Sequence, residues 1–310
     1  MKILVVGGAG YVGGGIVDNL SKQHDVTVYD SLIYETSYRK KVNFILGDIR
    51  DTKKLNGILR DFEVVVWLAA LVGDGACAIN PDLTSEINSE SVKNLVQNFN
   101  KRIIFLSTCS VYGAQDGTLT EASETNPLSE YASSKLKAEE YLKDSNALIF
   151  RLGTLFGISD EFSRVRLDLV VNILTTKALI DKKISVFGGE QWRPLLHVND
   201  VSNAISHCLN TDASGIYNLH YKNYKIIDIA KEIENKVNEV EVEITPISFE
   251  DARNYQVSSQ KLKNDTGFQA SIDLVKGIDE VYDLIFNNRI KDITDPRYSN
   301  QNFLQKFGVS

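Results

Sequence analysis

Residues 2–6, Lys-Ile-Leu-Val-Val, run straight into Gly7-Gly8-Ala9-Gly10-Tyr11-Val12-Gly13, and apolar residues recur beyond at Ile16, Val17 and Leu20. An apolar run, a glycine-rich turn and an amphipathic stretch predict a strand, a tight turn and a helix. That unit leaves little freedom in what the chain becomes. Gly7 and Gly10, without side chains, let the backbone turn sharply and approach a ligand. Gly13 lets the helix lie close to the strand. The helix N-terminus then offers unpaired N–H groups and a partial positive charge, a ready site for a dinucleotide pyrophosphate. Tyr11 and Val12 lie where the turn enters the helix and count as contacts of the same ligand. With 20 glycines in the chain a lone GxGxxG is weak evidence, but the context is right on both sides.

The next acidic residue agrees. Val26-Thr27-Val28-Tyr29-Asp30 reads as a second strand ending in a carboxylate, 17 residues after Gly13. An acid at that place accepts hydrogen bonds from the adenosine ribose hydroxyls. A 2′-phosphate would meet a like charge, and Ser31 and Leu32 supply no cation. The expected cofactor is therefore NAD rather than NADP.

Apolar strands alternate with helical patterns through the first half. Strands are expected at 42–46, 63–68, 102–106 and 147–151, and helices at 51–62, 85–99 and 129–142. Continuous apolar strands separated by helices predict an α/β fold, a Rossmann-type doubly wound parallel sheet. From about residue 152 glycines and prolines break the rhythm, and a smaller substrate lobe is expected. The expected division is a dinucleotide-binding domain over 1–154 plus about 191–211, a substrate lobe over 155–190 and 212–290, and a tail over 291–310. The tail turns from polar to apolar at Phe303, Leu304 and Phe307, which suits packing on the protein or on a partner subunit.

Bulk properties narrow the partners. The net charge of −7 argues against nucleic acid or an anionic membrane surface. No apolar run approaches the ~20 residues of a membrane span, and no signal peptide is expected. Cys77, Cys109 and Cys208 are too widely spaced for a disulfide framework or a metal site, which suits a reducing cytoplasm. The four histidines form no ligating pattern, and no metal is expected.

The candidate chemistry lies on the 129–142 helix. Tyr131 and Lys135 are four residues apart, hence on one helix face. An ammonium beside a phenol favours phenolate, making Tyr131 a candidate general base. Tyr221 and Lys225 share the spacing. The first pair is preferred because it follows a strand ending in Ser107-Thr108-Cys109-Ser110-Val111-Tyr112-Gly113. In a parallel sheet that C-terminal strand end faces the ligand. Thr108 is placed to bond a substrate hydroxyl whose proton Tyr131 takes.

Together GGAGYVG, Asp30, Gly47-Asp48-Ile49, Leu68-Ala69-Ala70, Asn88, Ser-Thr-x-x-Val-Tyr-Gly, YxSSK and Arg193-Pro-Leu-Leu-His197-Val-Asn-Asp200-Val resemble the extended short-chain dehydrogenase/reductase family, in its nucleotide-sugar epimerase/dehydratase branch. The resemblance covers about residues 1–285. It implies bound NAD, a nucleotide-diphosphate sugar in the cleft, and hydride transfer from sugar C4. It also implies that Asp48 and Ile49 contact adenine, and that Leu68, Ala69, Ala70, Asn88 and Ser107 contact the cofactor. Lys135 would also hold the nicotinamide ribose, and Arg193 and Arg253 would grip the diphosphate or nucleoside. The family often dimerises through the helices at about 85–99 and 129–143, so a homodimer or higher homo-oligomer is expected.

Departures from the family pattern refine the expectation. The 4,6-dehydratases carry Asp-Glu after the catalytic Thr, where this chain has Cys109 and Ser110. Neither suits proton transfer at C5 and C6, so dehydration is not expected. Thr154 stands in Arg151-Leu-Gly-Thr-Leu-Phe-Gly157 where the family has Asn, and is taken as a substrate contact. The loop 72–81 is also atypical and offers Asp74 to the sugar. The resemblance then implies oxidation at C4 by a 4-dehydrogenase acting on a GDP-linked heptose for bacterial capsular polysaccharide. The alternatives are a UDP-hexose 4-epimerase or, in another class, a non-catalytic NAD(H)-binding regulator.

Overall fold

The computed structural model describes residues 1–246 and 253–309. Its frame is a seven-stranded sheet in the order Gly215–Leu219, Ala147–Leu152, Arg102–Thr108, Val64–Trp67, Lys2–Val6, Asp25–Asp30, Asn43–Leu46. Every neighbouring pair is parallel. Chain order reverses on either side of Lys2–Val6, so the switch point, where such sheets open a crevice, lies beyond Val6. The glycine-rich turn begins at the next residue.

Alternation along the first strand explains the two covered faces. Ile3 and Val5 pack with Ile16, Val17 and Leu20 of the helix Gly13–Leu20 and with Val201, Ala204 and Ile205 of the helix Val198–Cys208. Leu4 and Val6 face the other way, towards Leu55, Leu95, Leu142 and the C-terminal Phe303 and Leu304. A separate core of Phe156, Val171, Leu174, Ile229, Ile233 and Ile278 holds the smaller lobe.

Three elements differ from the sequence expectation. The 85–99 helix is interrupted: Pro81–Ser85 runs into a π-turn at Glu86–Glu90 before Ser91–Asn98 resumes the α-helix. The segment about 191–211, expected to rejoin the first domain, forms a strand and a helix, Trp192–His197 and Val198–Cys208. The helix returns to the first lobe, where Ser202 Oγ donates to Gly15 O at 2.7 Å. The strand does not join the main sheet. It pairs with Thr154–Phe156 and Lys222–Lys225. Conversely, Gly215–Leu219, expected in the smaller lobe, is the edge of the main sheet beside Ala147–Leu152. Its sequence, Gly-Ile-Tyr-Asn-Leu, lacks the unbroken apolar run that marks the other inner strands.

Candidate active site

A cleft opens at the switch point. With its open mouth it spans about 1210 Å³. Gly7, Gly10, Tyr11, Val12, Gly13, Asp30, Asp48, Ile49, Leu68, Ala69, Ala70, Ser107, Tyr131 and Lys135 all line it. Gly7 has φ +85°, and a Cβ there would stand 2.5 Å from Ala69 N, so no other residue fits. A Cβ on Gly13 would run into the Gly8 carbonyl: the close approach is between helix and turn rather than helix and strand. The helix that starts at Gly13 has no N-cap side chain and no acid in its first turn; Ser159 Oγ takes Gly15 N at 2.9 Å, and the N–H groups ahead of it face an anion.

Asp30 accepts from Ala9 N at 2.9 Å and Leu32 N at 2.7 Å, which ties the second strand to the glycine turn. Burial raises its pKa, and these backbone bonds oppose the rise. Each carboxylate oxygen keeps acceptor capacity for a ribose hydroxyl. Asp48 faces the cleft but is paired with Arg50, Nη2 to Oδ2 at 2.6 Å, and that pairing lowers its pKa.

The helix Glu130–Leu142 starts where Ser129 caps it, accepting from Ala132 N at 3.2 Å. Tyr131 and Lys135 point from it to the end of strand Arg102–Thr108. Lys135 is buried, with Nζ donating to Leu106 O at 2.9 Å and lying 4.7 Å from the Phe105 ring centroid. Burial lowers its pKa from 10.5 to about 8, partly opposed by Cys77 and Glu139. Tyr131 lies beside Thr108, near enough for the threonine hydroxyl to pull its phenol down, and Thr108 Oγ1 accepts from Ser110 N at 3.1 Å. The Tyr131 phenol is pushed well above its ordinary range, first by burial and then by Cys77 and Asp74, while Arg166 and Thr108 pull it down. This corrects the expectation of a phenol lowered by Lys135. The lysine bonds a carbonyl instead, and desolvation of the phenol dominates.

Behind this pair lies a buried ion pair that carries no sequence motif. Arg151 holds Glu139 in a fork, Nε to Oε1 at 3.0 Å and Nη2 to Oε2 at 2.7 Å. Ser107 Oγ donates to the same carboxylate. Glu139 lies one turn beyond Lys135, so the fork fixes the helix to the strand Ala147–Leu152 and Ser107 fixes it to the strand that ends in Thr108.

The expected substrate residues meet each other at the neighbouring mouth. Asp74 Oδ1 accepts from Ser129 Oγ at 2.7 Å, and Asp74 Oδ2 lies 3.1 Å from Arg253 Nη1. Arg193 Nη1 donates to the Arg253 carbonyl and to Trp192 O. Ser110 Oγ lies 3.4 Å from both Arg253 Nη1 and Tyr255 Oη. Residues 251 and 252, quoted with Arg253, lie outside the described residues.

Four readings are corrected or filled in. Asn88 is not in the cleft wall. It sits in the π-turn and clasps the strand-exit loop, with Leu71 N at 2.8 Å and Leu71 O at 2.9 Å, so it shapes the cleft from behind. Thr154 is in the strand Thr154–Phe156, partly exposed and outside the cleft lining. Cys109 is packed, its thiol raised by burial and donating to Arg151 O at 3.1 Å. Tyr221 and Lys225 lie at the strand Lys222–Lys225, where a spacing of four does not make a shared helix face, and Lys225 pairs with Glu190.

Sequence reasoning missed one wall of the cleft. Tyr34, Glu35, Arg164, Arg166 and Asn300 line it. The signal present was Arg164-Val-Arg166-Leu-Asp168, two cations and one acid in a segment otherwise read only as the start of the smaller lobe.

The NAD dependent epimerase/dehydratase family matches this chain over residues 3–220. A Methanocaldococcus jannaschii relative, provisionally named a UDP-glucose 4-epimerase, is 30% identical across 92% of this chain and 99% of its own. The UDP-glucuronic acid 4-epimerase of Bacillus cereus, solved with UDP-glucuronic acid and NAD, is 25% identical with a TM-score of 0.80, over 93% of this chain and 99% of that one. The UDP-glucose 4-epimerase of Thermotoga maritima, 22% identical, shares the fold with a TM-score of 0.83 over 94% of this chain and 100% of that one. No described helix is long and apolar enough to cross a membrane. The glycine turn, the Asp30 carboxylate and the lysine-tyrosine pair fit the cofactor in that family's name. The chain belongs to the NAD-dependent epimerase/dehydratase family of nucleotide-sugar enzymes.

Proposed function

We propose that this enzyme oxidises C4 of a nucleotide-diphosphate sugar, with Tyr131 as general base, Thr108 as the partner of the reacting hydroxyl and Lys135 as the cation beside them. The observation that carries the reading is that Tyr131 and Lys135 line the inner end of the cofactor cleft with Ser107, with Thr108 beside the phenol. Bound NAD supplies a hydride acceptor there. The sugar hydroxyl enters between Thr108 and Tyr131, and its proton passes to the phenolic oxygen. A phenol raised by burial is a strong base once ionised, and the positive charge of an oxidised nicotinamide, when bound, would favour the phenolate that burial opposes. Gly7, Gly10, Tyr11, Val12 and Gly13 hold the pyrophosphate, Asp30 the adenosine ribose, and Asp48 and Ile49 the adenine. Leu68, Ala69, Ala70 and Ser107 hold the nicotinamide half. Arg193, Arg253 and Asp74 take the diphosphate and sugar.

Dehydration is disfavoured in this reading. Cys109 is buried against a carbonyl and Ser110 is held near Arg253 and Tyr255, so neither serves as a proton carrier.

The finer reading is a 4-dehydrogenase that releases the ketone, with a GDP-linked heptose as substrate, working in the cytoplasm as a homo-oligomer. It is supported by the loop 72–81 and the tail, which depart from the family pattern and meet at the cleft: Asn300 Nδ2 donates to Val72 O at 2.7 Å. A UDP-hexose 4-epimerase is the second reading, favoured by the names of the relatives. Incubation with GDP-heptose and with UDP-glucose, followed by NMR of the products, separates them. A ketose formed in step with added oxidant supports the dehydrogenase. A C4 epimer from the UDP-hexose, with no net oxidation, establishes the epimerase.

A further inference from the structure

Arg164 is a buried cation that no carboxylate meets. Its Nε and Nη2 donate to the Arg297 carbonyl at 3.1 and 2.8 Å, and Nη1 donates to Asn300 Oδ1. Both acceptor groups are neutral. Among the described residues, no ion pair to Arg164 forms. Of the two nearby carboxylates, Asp168 is taken by Arg166 in a fork with both contacts at 2.9 Å, and Glu35 shares the cleft wall without an ion pair to Arg164. A guanidinium has five N–H bonds, so two of those on Arg164 are left without an acceptor. Its carbon stands 3.8 Å from the centroid of the Tyr34 ring, and both residues line the cofactor cleft. The Tyr34 hydroxyl is likewise buried and without a partner. Buried charge in this state is unfavourable until an anion arrives.

The surroundings say which anion. The segment that carries Arg164 crosses the start of the helix Gly13–Leu20, where Ser159 Oγ accepts from Gly15 N at 2.9 Å. Burial raises the Tyr11 phenol in the glycine turn, and Arg166 is close enough to oppose that rise. Donors from the turn and from the arginine segment therefore converge on one space. The C-terminal segment sets the arginine there. Asn300 bonds three elements at once: Oδ1 accepts from Arg164, N donates to Asp168 Oδ2 at 2.9 Å, and Nδ2 donates to Val72 O. Phe303 then packs on Tyr34 with ring centroids 4.9 Å apart.

We propose that Arg164 is a phosphate-binding residue of the cofactor site. Its two free N–H bonds take the dinucleotide pyrophosphate opposite the glycine turn, and the C-terminal helix Asn300–Phe307 is the element that positions it. The tail thus belongs to the cofactor site rather than to a subunit contact alone.

The test is binding to cofactor-stripped protein, comparing NAD, ADP-ribose and adenosine by calorimetry. Arg164→Met is expected to weaken NAD and ADP-ribose by roughly 10–100-fold, the value of charge-assisted bonds to phosphate. Adenosine, which has no phosphate, should bind as before. Arg164→Lys should recover part of the loss, and Asn300→Ala, which frees the arginine, should cost the phosphate ligands roughly 3–10-fold. Stripped Arg164→Met loses three hydrogen bonds along with a buried charge, and its rise in Tm on adding NAD should shrink relative to the wild type. Unchanged ADP-ribose affinity, or an equal loss for adenosine, would overturn the assignment. If Arg164→Met does not fold, Arg164→Lys and Asn300→Ala decide by the same comparison.

Discussion

The residue that serves the chemistry at the greatest expense to the fold is Lys135. It is 3% exposed, and burial brings its pKa from 10.5 to about 8. Between those two pH values the unfolded chain binds a proton that the folded chain does not, so stability rises with pH across that window. Below about pH 8 the folded protein carries the full desolvation cost. The gap between the two values converts to about 3 kcal/mol. Replacing the lysine by methionine removes the charge and keeps an apolar stem. It also removes the donor to Leu106 O, worth about 1 kcal/mol. Cofactor-free Lys135→Met is therefore expected to be about 2 kcal/mol more stable than the wild type at pH 7, with the gain gone near pH 10. Urea denaturation from pH 7 to 10.5 measures this, provided the slope m is unchanged. Equal or lower stability of the variant at pH 7, or a difference that ignores pH, would refute the reasoning. The same variant should lose nearly all activity, since the group that strains the fold is the one the reaction needs.

Two further outcomes follow from the groups around it. Glu139→Gln breaks a buried fork and should cost about 3–5 kcal/mol, whereas Glu139→Leu with Arg151→Met should return most of it; additive losses in a double-mutant cycle would mean the two are not coupled. Asp74→Asn removes a negative charge that raises the Tyr131 phenol, so the acid limb of the pH–rate profile should move to lower pH. It also loosens Arg253, and KM for the nucleotide sugar should rise about 10-fold; an unmoved limb and KM would place Asp74 outside the site.

The parts of this protein written locally in the chain were legible in its sequence. The glycine turn, Asp30 and the YxxxK pair each draw their meaning from neighbours a few residues away. The inner strands announce themselves by apolar runs because both their faces are covered. What was not legible depends on distant partners. Asn88 looks like a polar residue on a helix, but the π-turn rotates it onto Leu71. Gly215–Leu219 is a sheet edge, with too few apolar residues to stand apart from a loop region. Arg164 and Asn300 are 136 residues apart, and no local pattern says that they meet. The expected lowering of the Tyr131 phenol failed for a related reason: spacing puts Lys135 on the same face, but burial and the pull of Leu106 O decide the outcome.

The most direct test of the central claim is rapid mixing of NAD-loaded protein with nucleotide-diphosphate sugars, following the reduced-nicotinamide absorbance. The wild type should show the band rise with at least one sugar, and Tyr131→Phe, with NAD affinity intact, should slow that rise by roughly 10²–10⁴-fold. A Tyr131→Phe protein that transfers hydride at the wild-type rate would contradict the account.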